Sequence, residues 1–186
     1  MLILASKSPR RKELLSRLTT SFRIEVPNVN EDEILSSVSP KDLALEESKL
    51  KAKEVASRFP NDQILACDTV VLIDGVPLGK PKDKEDAIRM LKLQSGKKQE
   101  VISGFTFYDW SSFVSGSATT LVYFNELSLS QIEEYIEKYQ PFDKAGAYGI
   151  QDEAGLISRI EGSYSNVMGL PLEAIEELFP FLREQR

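Results

Sequence analysis

Hydrophobic positions along this chain change their period several times, and each change marks an element. "LILA" (2–5) is an unbroken apolar run fit for a buried strand. Ser8 then offers an N-cap and Pro9 suits the first helical position, with Leu14, Leu15 and Leu18 recurring at helical spacing behind them. "FRIEV" (22–26) reads as a second strand, followed by the acidic loop "PNVNEDEILSS". A long helix is expected over "SPKDLALEESKLKAKEVASRF", with Ser39 and Pro40 at its start and the stripe Leu43, Leu50, Ala52, Val55 facing inward. "QILACDTVVLIDG" is the most strand-like stretch of all, closed by the turn signal Asp74-Gly75.

The second half continues the mixture. "GKPKDKEDAIRMLKL" gives a loop and a helix, and "VISGFTFYDW" and "SATTLVYFNEL" give a hairpin around the polar tip "SSFVSGS". "SLSQIEEYIEKY" is a capped amphipathic helix, "DKAGAYGIQDEAG" a glycine-rich loop, and "LISRI" a strand. A loop "EGSYSNVMGLP" and a closing helix "LEAIEELFPFLREQ" complete the order. Strands and helices interleave without internal repeat or low-complexity linker, so a single α/β domain is expected.

Composition narrows the chemistry. With 186 residues, 41% of them hydrophobic, the chain can bury a substantial core, and a charged fraction of 28% argues against long disorder. A net charge of −6 disfavours a nucleic-acid-coating surface, so a basic cluster in this chain points to one focused anion site. Cys67 is the only cysteine, which rules out an intrachain disulfide, and there is no histidine. Catalytic triads and dyads built on histidine are therefore excluded, and a metal would need oxygen ligands, which suits magnesium or manganese. No apolar run approaches membrane-spanning length and the N-terminus lacks the pattern of a signal peptide, so a cytoplasmic location is expected.

The first helix carries an anomaly. Its opening turn holds Arg10, Arg11 and Lys12, cations where the helix dipole favours acids. At about 100° per residue, the three leucines centre near the direction of Arg11, with Arg10 at the edge and Lys12 and Glu13 pointing away. A charge on the buried side needs a partner. A phosphate held by both arginines, the Ser6 and Ser8 hydroxyls and the first-turn N–H groups would supply one. Solvated arginines, or arginines paired with surface acids, are the alternative.

Asp68 and Thr69 raise a similar question inside an apolar strand. By alternation Asp68 shares a face with Ala66 and Val70, where a carboxylate must be held by a cation, a metal or donors. A turn-capping aspartate is the plainer alternative. A haloacid-dehalogenase-type phosphatase would need a second acid, whereas the chain reads Asp68-Thr69-Val70-Val71. Lys51 and Lys80 add cations, and "NEDE" (30–33) adds Glu31 and Glu33 as candidate metal ligands; each alone also fits a solvated position. In "DKAGAYGIQ", Gly146 and Gly149 allow positive φ around Tyr148, and Gln151 offers the donor and acceptor that recognition of a base edge requires.

Taken in order, "LILASKSPRRKELL", "KAKEVA", "CDTVV", "DGVPLGKPKDKEDA", "QSGKKQEVISG", "YIEKYQPFDKAGAYGIQ" and "GSYSNVMGLPL" resemble the Maf (septum formation inhibitor) family of nucleoside triphosphate pyrophosphatases. The resemblance implies a mixed, elongated β-sheet flanked by helices, with two lobes of a single domain (1–186) around a central cleft. It implies a homodimer that hydrolyses a nucleoside triphosphate to monophosphate and pyrophosphate with a divalent cation, Mg²⁺ or Mn²⁺. By the same resemblance Asp68 is the catalytic residue, the proton acceptor for the attacking water, and a metal ligand with Glu31. Arg10, Thr69 and Gln151 set substrate choice, and Ser6, Arg11, Lys51 and Lys80 face phosphates. "CDT" and "GIQ" look like the branch acting on dTTP and UTP, with modified pyrimidine nucleotides as further candidates. The chain departs from the family pattern at Cys67, where alanine is usual, at Gln94, where leucine is usual, and at Gln99, where histidine is. A nucleotide-sensing protein that regulates division with little turnover is the competing expectation.

Overall fold

The computed structural model describes residues 1–30 and 37–185. Its strands are β1 (Leu2–Ala5), β2 (Phe22–Glu25), β3 (Gln63–Ile73), β4 (Val76–Leu78), β5 (Lys98–Tyr108), β6 (Phe113–Phe124) and β7 (Ile157–Glu161). The helices are α1 (Pro9–Leu15), α2 (Leu43–Arg58), α3 (Lys84–Gln94), α4 (Leu129–Tyr139), α5 (Tyr164–Met168) and α6 (Leu172–Leu178). All seven strands form one mixed sheet in the order β2-β1-β3-β5-β6-β7, with β4 attached to β3. β1 runs parallel to β2 and β3, and the remaining pairs are antiparallel. The sheet is flanked by helices, as the family resemblance implies.

Local chemistry explains most boundaries. Ser8 caps α1 by accepting from the Arg11 N–H, and Pro9 opens it. Asp83 caps α3 through the Asp86 N–H at 2.8 Å. Ser128 and Gln131 form a reciprocal capping box on α4. Asp74 and Gly75, with φ of 50° and 79°, give the doubly left-handed two-residue turn that matches strand twist.

Several expectations need correction. α2 begins at Leu43, because Ser39 and Pro40 belong to a preceding turn closed by the Asp42 N–H donating to the Ser39 carbonyl at 2.9 Å. Leu50 is exposed, and the buried face of α2 carries Glu47, Ser48 and Lys51 beside Leu43, Ala52 and Val55. The β5–β6 tip is only residues 109–112, since Phe113 to Ser117 continue the ladder with β5. The stretch "EGSYSNVMGLP" contains α5, a short helix capped by Ser163. The closing helix stops at Leu178 and gives way to a 3-10 turn at Pro180, which cannot continue an α-helix.

The sheet buries apolar clusters on both faces. On one, Leu14 and Leu15 of α1 pack with Phe105, Phe107, Leu170 and Phe179. On the other, Ala52 and Val55 of α2 lie against Ile3, Ala5, Ile64 and Ala66. A further cluster joins α3 and α4 to β3–β6 through Leu91, Ile132, Ile136 and Val122. Register then creates the feature that matters for function. β1 pairs with β3 only as far as Ala66, and β4 only from Val71 onward. Cys67 to Val70 are therefore flanked by a strand on one side only, that of β5. Among the described residues no helix is long and apolar enough to cross a membrane.

Candidate active site

The interrupted edge of β3 opens into a cleft of about 980 Å³. Ser6, Arg10, Arg11, Lys51, Asp68, Thr69, Lys80 and Gln151 all line it, so the structure brings together every described residue to which the family resemblance gives a site role, whereas Lys12 and Gly146 are not in its lining. Glu31 and Glu33 lie outside the described residues.

Asp68 and Thr69 are neighbours on β3 and so project to opposite faces of the sheet. Because no strand covers their edge, both still reach the cleft. Asp68 faces α2, where the Lys51 ammonium donates to Oδ1 in a short ion pair, and Lys51 is almost fully buried. Glu47, one helical turn before Lys51, is hydrogen-bonded to the same carboxylate. Burial pushes the Asp68 carboxyl up; the Glu47 hydrogen bond and the charges of Lys51 and Arg11 outweigh it and hold the group below the usual carboxylate range. Asp68 is therefore ionised at neutral pH.

The depth at which α2 lies follows from Gly104. It stands opposite Asp68 in the β3–β5 register, and a Cβ there would come within 2.3 Å of the Leu45 backbone nitrogen. Only glycine lets the first turn of α2 approach the sheet this closely. Ser48 completes the contact by sharing a hydrogen bond of 2.8 Å with Thr106 on β5.

On the opposite face Arg11 is partnered, as its inward direction requires, but by neutral groups. Its Nε donates to the Gly169 carbonyl at 2.8 Å and its Nη2 to the Thr69 hydroxyl at 3.2 Å. Thr69 also shares a 2.8 Å hydrogen bond with Ser103. Arg11 is thereby aimed into the cleft, and among the described residues no carboxylate is bonded to its guanidinium. Arg10 instead forms a 3.0 Å ion pair with Asp143, which reaches across from the glycine-rich loop. Burial raises the Asp143 carboxyl, but the hydrogen bond from Arg10 and the charge of Lys144 bring it below its ordinary value. The Ser6 hydroxyl oxygen accepts from the Ser8 N–H at 3.1 Å, and Lys80 is exposed at the rim.

The glycine-rich loop folds into three 3-10 turns, Pro141–Asp143, Ala145–Ala147 and Ile150–Asp152. Gly146 takes φ +72°, as expected. Gly149 does not: its φ is −123°, and a Cβ there would lie 2.8 Å from Lys144 Cε, the flexible end of a side chain. The second left-handed residue is Ala147, at φ 59°.

Three contributors went unread in the sequence: Glu47, Asp143 and Gly169. Glu47 had a signal, since Leu43, Glu47 and Lys51 share one helical face. Asp143 and Gly169 had none, because the arginines they bind, Arg10 and Arg11, are more than a hundred residues away.

The donor set around Asp68 suits a hard divalent cation. Two carboxylates, from β3 and α2, converge at the cleft floor, and magnesium needs only one or two protein carboxylates when phosphates and water complete its shell. Among the described residues no group of three or more acidic, cysteine or histidine side chains converges.

The sheet and its cleft define a mixed α/β class shared with solved structures. A HAM1 protein from Coxiella burnetii superposes with a TM-score of 0.55 at 13% identity, covering 98% of each chain. The chain belongs to the Maf family, whose model, Maf-like protein, matches residues 1–181. Among its relatives, proteins named dTTP/UTP pyrophosphatase from Thermococcus gammatolerans, Carboxydothermus hydrogenoformans and Pyrococcus furiosus are 47%, 45% and 46% identical. The alignments cover 96%, 97% and 95% of this chain and 95%, 96% and 93% of those relatives.

Proposed function

We propose that this protein hydrolyses dTTP, UTP or a modified pyrimidine counterpart to the monophosphate and pyrophosphate. One observation carries the reading. An ionised aspartate lies on the floor of a cleft whose walls hold Arg10, Arg11, Lys51 and Lys80, the number and sign of charges a triphosphate needs. Relatives sharing nearly half the residues over almost the whole chain bear that activity in their names.

In this reading Arg11 and Lys51 neutralise the phosphates from the two faces of β3, and Lys80 closes on them from the rim. Asp68 orients a water for attack at the α-phosphorus and accepts its proton. The bond from that phosphorus to the α–β bridging oxygen breaks, and pyrophosphate leaves with that oxygen. A triphosphate that draws Lys51 onto itself frees Asp68 to take the proton. Asp68 and Glu47, with Glu31 by family resemblance, would hold Mg²⁺ or Mn²⁺, which supplies further charge neutralisation on the phosphate oxygens. Positioning and electrostatics provide most of the acceleration, as is general for phosphoryl transfer. Thr69, Arg10 and Gln151 face the remainder of the nucleotide and select it. The enzyme is taken as one domain spanning residues 1–186, with two lobes around the cleft, working as a cytoplasmic homodimer.

The test is incubation of the purified protein with dTTP, UTP, CTP and GTP, with Mg²⁺ and with EDTA, assaying pyrophosphate and orthophosphate separately. Metal-dependent pyrophosphate from dTTP and UTP is expected, with little from CTP or GTP. Orthophosphate would indicate a phosphatase instead, and tight binding without turnover would indicate a nucleotide sensor.

A further inference from the structure

The loop that carries Gln151 is locked from beneath by a side chain that never reaches the cleft. Gln94, the last residue of α3, is fully buried. Its Nε2 donates to the Gly146 carbonyl at 2.6 Å and to the Met90 carbonyl at 3.0 Å. Its Oε1 accepts from Gln99 Nε2 at 2.8 Å. Gln99 is itself 1% exposed, and its Oε1 has no partner among the described residues. Two amides are thus buried within an apolar cluster and one acceptor is left unsatisfied, an arrangement that two aliphatic side chains would avoid.

What the arrangement accomplishes is control of one residue's backbone. Gly146 has its carbonyl held by Gln94, and its N–H donates to the Gly79 carbonyl at 3.1 Å, next to Lys80. Gly146 and the buried Ala147 both occupy the left-handed region, and an alanine persists there only where its surroundings over-determine it. Further along, Tyr135 fixes the same loop by accepting from the Gly149 N–H at 2.8 Å and donating to Asp152 at 2.6 Å. Gln151 lies between those two anchored residues.

We infer that Gln94 is a positioning residue for substrate selection. Through the Gly146 peptide it sets the spacing between Gln151, which faces the base, and Lys80, which faces the phosphates. The inference rests on the pyrophosphatase reading above and deepens it.

Three full-length proteins test it: the parent, the double variant Gln94→Leu/Gln99→Leu, which removes the lock without stranding an amide, and Gln99→Leu, which leaves the Gln94–Gly146 bond in place. In the double variant KM for the best pyrimidine triphosphate rises about tenfold or more and the preference over other bases falls by a similar factor, with kcat within about threefold. Backbone amides of residues 145–149 exchange faster, and Gln99→Leu keeps both the preference and the protection. A double variant that melts like the parent with unchanged KM and preference overturns the proposal, as does an equal shift in Gln99→Leu. Fast exchange at the Gly146 and Gly149 amides of the parent overturns it as well, and this measurement needs no variant to fold. Absence of triphosphate hydrolysis in the parent would instead sink the pyrophosphatase reading, and the exchange data would still decide whether the lock exists.

Discussion

Asp68 on β3 and Gly104 on β5 stand directly opposite one another, and the missing side chain of one sets the surroundings of the other. With no Cβ at position 104, α2 settles against the sheet and brings Glu47 and Lys51 to the aspartate. Gly104→Ala would place a methyl 2.3–2.5 Å from the Ala44–Leu45 backbone, which must give way. Overpacking of this kind costs about 3 kcal/mol, which for a chain of this size lowers the melting temperature by about 6–12 °C. Calorimetry and turnover should fall together. A variant that melts like the parent with full activity would show that α2 is not held at this depth.

Asp68→Asn removes the proton acceptor while keeping the side chain's size. Lys51 loses the counter-charge of Asp68, so nucleotide binding should persist or tighten. Turnover should drop by about 10³-fold. Equilibrium binding of a non-hydrolysable dTTP analogue beside a pyrophosphate assay separates the two effects, and near-normal turnover would remove Asp68 from the chemistry.

Glu47 shares the Asp68 carboxylate with Lys51, and its loss should be felt at the reacting centre before it is felt in binding. Glu47→Ala leaves Asp68 with one restraint fewer, so kcat should fall by about 10²-fold with little change in KM. Glu47→Gln keeps a hydrogen-bonding group of the same length and should recover part of that loss. Equal damage from both variants would show that Glu47 acts by something other than its hydrogen bond to Asp68.

How far the sequence could anticipate this site depends on the range of the signal. Ser8 and Pro9 define the start of α1 locally, and the spacing of Leu14 and Leu15 then dictates that Arg11 turns inward, as the structure shows. Asp68 was legible because a carboxylate inside an apolar strand demands a partner. Glu47 was hidden because period analysis weighs apolar residues, and Leu50 was placed on the stripe that Glu47 and Lys51 occupy. The open edge of β3 was beyond reach: it arises because β1 ends at the register of Ala66 and β4 begins at that of Val71. Nothing in a one-dimensional pattern records where two other strands stop.

Gln151 presents a carboxamide to the cleft, able to donate and to accept at a base edge. Gln151→Glu removes the donor and adds a negative charge, while the cations that line the cleft are untouched. Relative kcat/KM across dTTP, UTP, CTP and GTP should shift by about tenfold or more, a change worth about 1.4 kcal/mol in discrimination. Unchanged ratios across the four would count against base reading by this residue.

Cys67 supplies a pH test that is independent of substrate. Its thiol is fully buried, donating to the Gly169 carbonyl at 3.3 Å, and burial pushes its pKa up to about 11. The unfolded thiol ionises near its ordinary value of 9.0, so between that pH and about 11 the unfolded state alone releases the proton. This contribution to stability is therefore complete below pH 9 and is lost as pH rises toward 11, at about 1.4 kcal/mol per pH unit across the window. Cys67→Ala has no thiol to ionise, so its denaturant midpoint should fall less steeply over that range than the parent's. Parallel slopes would mean that the thiol titrates normally in the folded protein. Rapid alkylation of the native protein at pH 8 would show the same thing by a second route.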